Sequence, residues 1–348
     1  MDESQSLGNA DVLITGVGSA TPRAVAALAQ GVELPIEAVV DAVYRAPARL
    51  FASLALADAQ RLVDIVRGLG LCAEAVPAGS APPRGALFDV AGHLLDPAQA
   101  DPAAAALARV LGMPVAQALE ALLNPPGMLL GNVTAPTVEA LRQALPAGAI
   151  ELTAANAASS SYALFAAAPS AAQRQQVRAL LPGREVEADS AGLTLFDLTR
   201  SEADNLWRRL QPAEGLRIVN QAFLRFTLVL VAAEPDAAAA LQRLAGVPPE
   251  DFDALCALLP VPVERHVPYA ALQARLAEYA AGGLVVRAEL ATFAAVQLEV
   301  LSAPPGLLRA EGFAAASLPF RTPAMVEPRA RVLRARLEAA GADVLELA

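Results

Sequence analysis

The chain has no lysine; all 26 of its basic side chains are arginine. That absence excludes a Schiff-base nucleophile and the lysine with which a phosphate-binding loop reaches nucleotide phosphates. Histidine and cysteine occur twice each, and tryptophan once. Cys72 and Cys256 lie far apart in apolar segments. They are expected to be buried free thiols, with no disulfide framework, as in a reducing compartment. Aromatic residues make up 4% of the chain and apolar residues 55%. Cores must therefore be built from Ala, Leu and Val, which suits small domains with closely packed helices. Long apolar runs are missing too. The most apolar stretch, Phe226 to Ala233, is too short to span a bilayer, so no membrane insertion is expected. The N-terminal segment MDESQSLGNAD lacks the basic-then-apolar layout of a secretory signal. With an Ala-, Pro- and Arg-rich composition, the expected setting is the cytoplasm of a bacterium with a GC-rich genome. Clustered positive charge is also wanting. A formal charge of -10 leaves nothing to track a nucleic-acid backbone, and the partners expected are other proteins.

What the chain does contain is repetition. DVLITGVGSATPRAVAALAQ, from Asp11, reads as a strand, a turn and a helix opened by Pro22. Ile36, Val39, Val40 and Val43 line a second helix, which Pro47 stops. The strand RLFASL follows, then a helix with Leu62, Ile65, Val66 and Leu69 on its inner face, closed by Gly70. LCAEAV is the last strand. The order is β-α-α-β-α-β. It returns around Pro125 and Gly148, and again around Pro260 and Gly283, with the same proline-to-glycine separation each time. That spacing fixes the length of the strand and helix between the two residues, and it is a repeat signal.

The expected fold class is α+β: tandem small modules, each a three-stranded, mainly antiparallel sheet covered by helices. The boundaries read as a flexible tail 1–10, then modules 11–77, 86–155, 161–221, 222–292 and 293–348. The third is reduced in its second helix, and the fifth is partial, with a proline-rich middle. AGSAPPRGA from Ala78 and NAASSS from Asn156 read as linkers. The third and fourth modules meet at Asn220 to Phe223 with almost no linker and are expected to pack together.

The first module resembles the C-terminal domain of the bacterial ribosomal stalk protein and, more distantly, the protease-adaptor domain that shares its fold. LITGVGSATPRAVAAL is similar to that family's strand, glycine turn and first helix. LPIEAVVDAVYRAP is similar to its second helix, and ADAQRLVDIVRGLGLCAEAV to its third helix and final strand. LEAAGADVLEL at the C-terminus resembles that last segment again. In the stalk family, basic residues on the first two helices contact translation GTPases. The matching positions here are Ala26, Ala29, Glu37 and Val40, so the resemblance carries the fold without that contact.

Each candidate site has a structural reading beside it. Gly16-Val17-Gly18 follows a strand and precedes a helix, as an anion-binding turn does. Thr21 stands where a third glycine is needed, and a plain structural turn is expected. His93 in a loop and His266 in a strand have no further ligands at metal-site spacing. Cys256 and His266 lack the third group of a catalytic triad, and Ser159, Ser160 and Ser161 read as polar linker. Arg329, Arg331, Arg334 and Arg336 form a basic run in the last helix, bracketed by Glu327 and Glu338. The run reads either as a partner-docking face or as a solvated helix face. No cofactor is expected. The function expected is a multivalent protein-binding scaffold in a larger assembly. The alternatives are an adaptor that delivers clients to a protease or a translation-associated machine, and an enzyme with a site between modules.

Overall fold

The computed structural model describes residues 8–83, 85–167, 169–184, 187–188, 192–210, 215–314 and 317–347. They form two compact units, Met1–Ala158 and Ser159–Ala348. The division falls inside the NAASSS linker. The first unit holds modules 1 and 2, and the second holds modules 3 to 5.

Module 1 runs β1 (Asn9–Gly16), α1 (Pro22–Gly31), α2 (Ile36–Tyr44), β2 (Ala48–Ala55), α3 (Leu56–Gly68) and β3 (Cys72–Pro77). Its sheet order is β2-β1-β3, and both neighbours are antiparallel to β1. The central strand is apolar and β-branched because both of its edges are paired and its faces are covered. Val12 and Ile14 are wholly buried, and Leu13 on the opposite face is buried as well. Thr21 caps α1 by accepting from the Ala24 N–H at 3.3 Å, and Pro22 sits in the first turn. Residues 1–7 of the expected tail lie outside the described residues. Asn9 and Ala10 are not tail, since β1 already includes them and Ala10 is buried.

The same plan recurs. Module 2 has β4 (Phe88–Leu94), α4 (Ala100–Leu111), α5 (Val115–Leu123), β5 (Met128–Val133), α6 (Ala135–Ala144) and β6 (Ile150–Asn156), in sheet order β5-β4-β6. Module 3 has β7 (Tyr162–Ala167), α7 (Ala171–Leu180), β8 (Glu187–Ala188), β9 (Gly192–Leu198), α8 (Arg200–Leu210) and β10 (Leu216–Asn220), in order β10-β7-β9-β8. A short strand thus stands where a second helix was expected to be reduced. Module 4 has β11 (Arg225–Ala233), α9 (Ala238–Ala245), α10 (Phe252–Cys256), β12 (Val261–Pro268), α11 (Tyr269–Ala281) and β13 (Leu284–Leu290), in order β12-β11-β13.

Module 5 has β14 (Ala295–Ser302), α12 (Leu307–Ala310), β15 (Phe320–Arg321), β16 (Met325–Val326), α13 (Glu327–Ala339) and β17 (Asp343–Leu347). β14 is central, with β17 on one side. β15 and β16 lie on the other as two halves of one interrupted edge strand. Five small antiparallel sheets in tandem give the α+β class.

One feature of the second long strand of modules 1 to 4 carries no sequence signal. β2, β5, β9 and β12 each bulge against the central strand. In each, the second bulge residue is a non-glycine in the left-handed region: Ser53 (φ 54°), Asn132 (φ 55°), Asp197 (φ 58°) and His266 (φ 60°). These residues correct the repeat register. Ser53 follows Pro47, and His266 follows Pro260, by six residues; six residues before Asn132 stands Pro126, not Pro125. Two adjacent prolines stop a helix equally well, so the sequence pattern had locked onto the wrong one.

Modules 3 and 4 share a core, as the missing linker suggested. Ala163 and Val219 of module 3 are buried with Phe226, Leu228, Leu241 and Tyr279 of module 4, and Phe165 and Phe196 pack against them. Tyr279 is fully buried, and its hydroxyl donates to Glu264 Oε2 at 3.2 Å. Burial, and next the Glu264 charge, push its pKa up to about 12. Arg275 holds the same carboxylate with Nε and Nη2, so Glu264 stays paired without the phenol. Tyr279→Phe is therefore expected to cost only about 1 kcal/mol in urea unfolding.

Candidate functional site

A group of ionisable side chains gathers where module 4 meets module 5. The bulge of β12 presents His266, and α13 presents its first residue, Glu327. His266 Nε2 stands 3.3 Å from Glu327 Oε1, with the two side chains 21% and 10% exposed. Arg331, one turn along α13, approaches the same carboxyl oxygen at 3.6 Å. Beside them Arg265 donates to Glu346 of β17 at 2.7 Å, and Arg334 reaches Glu346 at 3.9 Å. Arg225, at the start of β11, is buried close by.

The electrostatics follow from this enclosure. Burial, and then the positive charges of Arg331, Arg265 and Arg225, lower the His266 pKa to about 4, against a smaller opposing effect of Glu346. Burial raises the Glu327 pKa to about 7; Glu346 also raises it, and Arg331 and Arg265 lower it. The pair therefore holds one proton between about pH 4 and pH 7. In chemical terms this is a largely buried imidazole–carboxyl contact with guanidinium groups beside it.

The same geometry joins modules 3 and 4. The bulge of β9 presents Asp197, and the first residue of α11, Tyr269, donates its hydroxyl to Asp197 Oδ1 at 3.0 Å. Gln221, with its amide turned to satisfy both ends, donates to Asp197 Oδ1 at 3.0 Å and accepts from the Asp197 N–H at 2.7 Å. Burial, and next Asp197, raise the Tyr269 pKa. At both seams, the left-handed residue of one module meets the first residue of the next module's last helix.

Modules 1 and 2 meet differently. Thr134, which precedes α6, donates its hydroxyl to Ala46 O and its N–H to Tyr44 O at 3.2 Å. Thr137 donates to Tyr44 O at 2.9 Å. These bonds satisfy carbonyls that Pro47 leaves open at the end of α2. The bulge itself is anchored from within module 1. Asp11, a buried carboxylate of β1, accepts from the Ser53 N–H at 2.8 Å and the Gly79 N–H at 3.1 Å. The Ser53 bond, with Gly79 and Arg49 adding to it, lowers the Asp11 pKa against desolvation. In module 2, Asp89 accepts from the Asn132 N–H at 3.1 Å in the same way.

The basic run of α13 does not form one exposed face. Arg329 is exposed, whereas Arg331, Arg334 and Arg336 are half-buried. Arg331 lies against Glu327, and Arg334 bonds Glu338 at 2.7 Å. A helix turns about 100° per residue, so a run in sequence is spread around the axis. Glu327 was expected only to bracket this run; it is instead the buried centre of the seam. His93 is in β4 opposite Glu151, not in a loop. Cys72 is exposed and Cys256 half-buried, against the expected burial. Cys72 opens an edge strand that alternates faces, and its turn is outward.

Beside the turn Gly16-Val17-Gly18, the Ser19 N–H donates to Gly70 O at 2.9 Å. Among the described residues, no group of three or more His, Cys, Asp or Glu side chains could hold a metal ion. No single helix there is long and apolar enough to cross a membrane. A cleft of about 330 Å³ lies in module 5, lined by Pro304, Pro305, Leu308, Arg309 and Leu318 among others; it does not include the His266 group.

Asp197 had no signal in the sequence, because a left-handed non-glycine residue carries none, and Tyr269 and Gln221 had none because their role depends on the bulge they meet. No protein-family model, curated protein or solved structure matches the chain.

Proposed function

We propose that the chain is a multivalent protein-binding scaffold, a structural component of a bacterial cytoplasmic assembly. The observation that supports this reading is one small fold repeated with a different apolar side chain displayed on each copy. Module 1 exposes Ile36 and Val40 on α2, module 2 exposes Val115 on α5, and module 3 exposes Trp207, the chain's single tryptophan, on α8. Module 4 exposes Leu258, at 71%, just beyond α10. Tryptophan and large apolar side chains are what binding hot spots are built from, and joined modules raise one another's effective concentration for a common target.

Tagged full-length chain carrying Val40→Asp, Val115→Asp, Trp207→Ala or Leu258→Asp is expected to lose a different partner in each case. The measurement is affinity purification with mass spectrometry. Identical partner sets for all four variants and wild type would sink this reading. The convergence of His266, Glu327 and Arg331 favours the alternative, an enzyme with a site between modules. Under that reading His266→Asn removes function while the fold stays intact. Under the scaffold reading it leaves the partner set unchanged.

A further inference from the structure

We infer that the left-handed bulge position of β9 and β12 is a specificity position, whose side chain selects the module that packs next by matching the first residue of that module's last helix. The inference deepens the scaffold reading, since a scaffold needs a fixed module order, but its evidence is the seams themselves.

Three observations carry it. First, a non-glycine residue at positive φ is conformationally costly, and glycine is the local optimum there. Where such a residue stands, a contact of its backbone or side chain can offset that cost. Second, the bulges fall into two classes. In modules 1 and 2 a central-strand carboxylate, Asp11 or Asp89, holds the bulge N–H. In modules 3 and 4 the matching central-strand residues, by register, are Ala163 and Thr227, which bring no carboxylate. There the bulge side chain turns to the next module instead. Third, the two pairs differ in chemistry. Asp197 accepts from a phenol, whereas His266 faces a carboxyl group. Exchanging the following modules would set Asp197 against Glu327 and His266 against Tyr269, and two carboxylates in contact repel.

The test transplants one pair into the other seam of the full chain. Tyr269→Glu alone is expected to lower the melting midpoint at pH 7 by roughly 5 °C, through carboxylate repulsion and loss of the Phe226 ring contact. Asp197→His alone lowers it less. The double variant Asp197→His/Tyr269→Glu regains at least half of the Tyr269→Glu loss, and it melts above Asp197→Ala/Tyr269→Glu, which only removes the repulsion. If Tyr269→Glu does not fold, recovery of a cooperative transition by Asp197→His is the same readout. Additive losses, or no advantage of histidine over alanine, would overturn the inference. Such an outcome with the wild-type partner set retained leaves the scaffold reading standing, so the two fail separately.

Discussion

Relative to wild type, Glu327→Gln and His266→Asn are expected to give the protein opposite pH dependences, in a range where the wild-type pair itself adds almost no slope. The reason is proton bookkeeping at the module 4–5 seam. Unfolded, histidine and glutamate titrate near 6.5 and 4.5. The pair then carries one proton between those values. Folded, it carries one proton between about 4 and about 7. From pH 4.5 to 6.5 the two states bind the same number of protons, so the pair gives stability no slope there.

Each single variant removes one half of that compensation. In Glu327→Gln only His266 remains, and its folded pKa lies below its unfolded value. Its contribution is present above pH 6.5 and is lost as pH falls through about 4. In His266→Asn only Glu327 remains, and its folded pKa lies above its unfolded value. Its contribution is present below pH 4.5 and is lost as pH rises through about 7. Burial is the leading cause of both displacements, so each is expected to persist in direction when the partner is made neutral. Measured as the difference from wild type at each pH, stability should change by roughly 2–3 kcal/mol between pH 4.5 and 6.5, with opposite signs. Taking differences cancels carboxylates elsewhere, such as Asp11 and Glu202, whose pKa values are lowered. In the double variant that difference should show no slope. Urea midpoints across that range decide the matter, and parallel profiles for the two single variants would refute the shared proton.

The modules were legible in the sequence because local chemistry sets their elements. Pro22 opens α1, and Gly70 and Gly283, both at positive φ, follow directly on the ends of α3 and α11; α6 instead stops at Ala144, just before Pro146, and the expected Gly148 lies in the turn beyond it. Runs such as FTLVLV read as central strands because both faces are covered. The seams were not legible. They depend on which side chain a bulge turns outward, and a bulge at Asp197 or His266 looks like ordinary strand sequence. Glu327 illustrates the limit. Next to Arg329 and Arg331 it reads as one charge of a solvated helix, yet its place as the first residue of α13 buries it against the preceding module. The interrupted edge strand of module 5 escaped for a similar reason. Pro319 and Pro323 suggest irregular chain, but β15 and β16 still pair with β14 on either side of the break. There Thr322 fills in for the lost ladder: its N–H donates to Leu298 O, and its hydroxyl accepts from the Leu298 N–H.

Gly18→Ala is expected to destabilise the first unit heavily, while Gly16→Ala, two residues away, is expected to be mild. Gly18 has φ +56°, and a Cβ there would sit 2.3 Å from the carbonyl oxygen of Gly70. That oxygen accepts the Ser19 N–H, so it cannot move aside without breaking the turn. Gly70 mirrors the arrangement: at φ +88°, its own Cβ would lie 2.9 Å from Ser19 Oγ and 3.1 Å from Ala20 N. The turn before α1 and the turn after α3 are thus in backbone contact at two glycines. An alanine in the left-handed region costs about 1–2 kcal/mol, and forcing atoms into a filled site adds about 1–3 kcal/mol. Gly18→Ala should therefore lose roughly 2–5 kcal/mol in urea unfolding. At Gly16 an added Cβ would meet Pro136 Cβ at 3.6 Å and Cys72 Cβ at 3.8 Å, which are ordinary contacts. The contrast separates two meanings of Gly16-Val17-Gly18. A ligand-binding turn tolerates alanine in the empty protein and loses the ligand. A packing turn loses stability at Gly18 and little at Gly16. A Gly18→Ala protein as stable as wild type would return the motif to the list of binding sites.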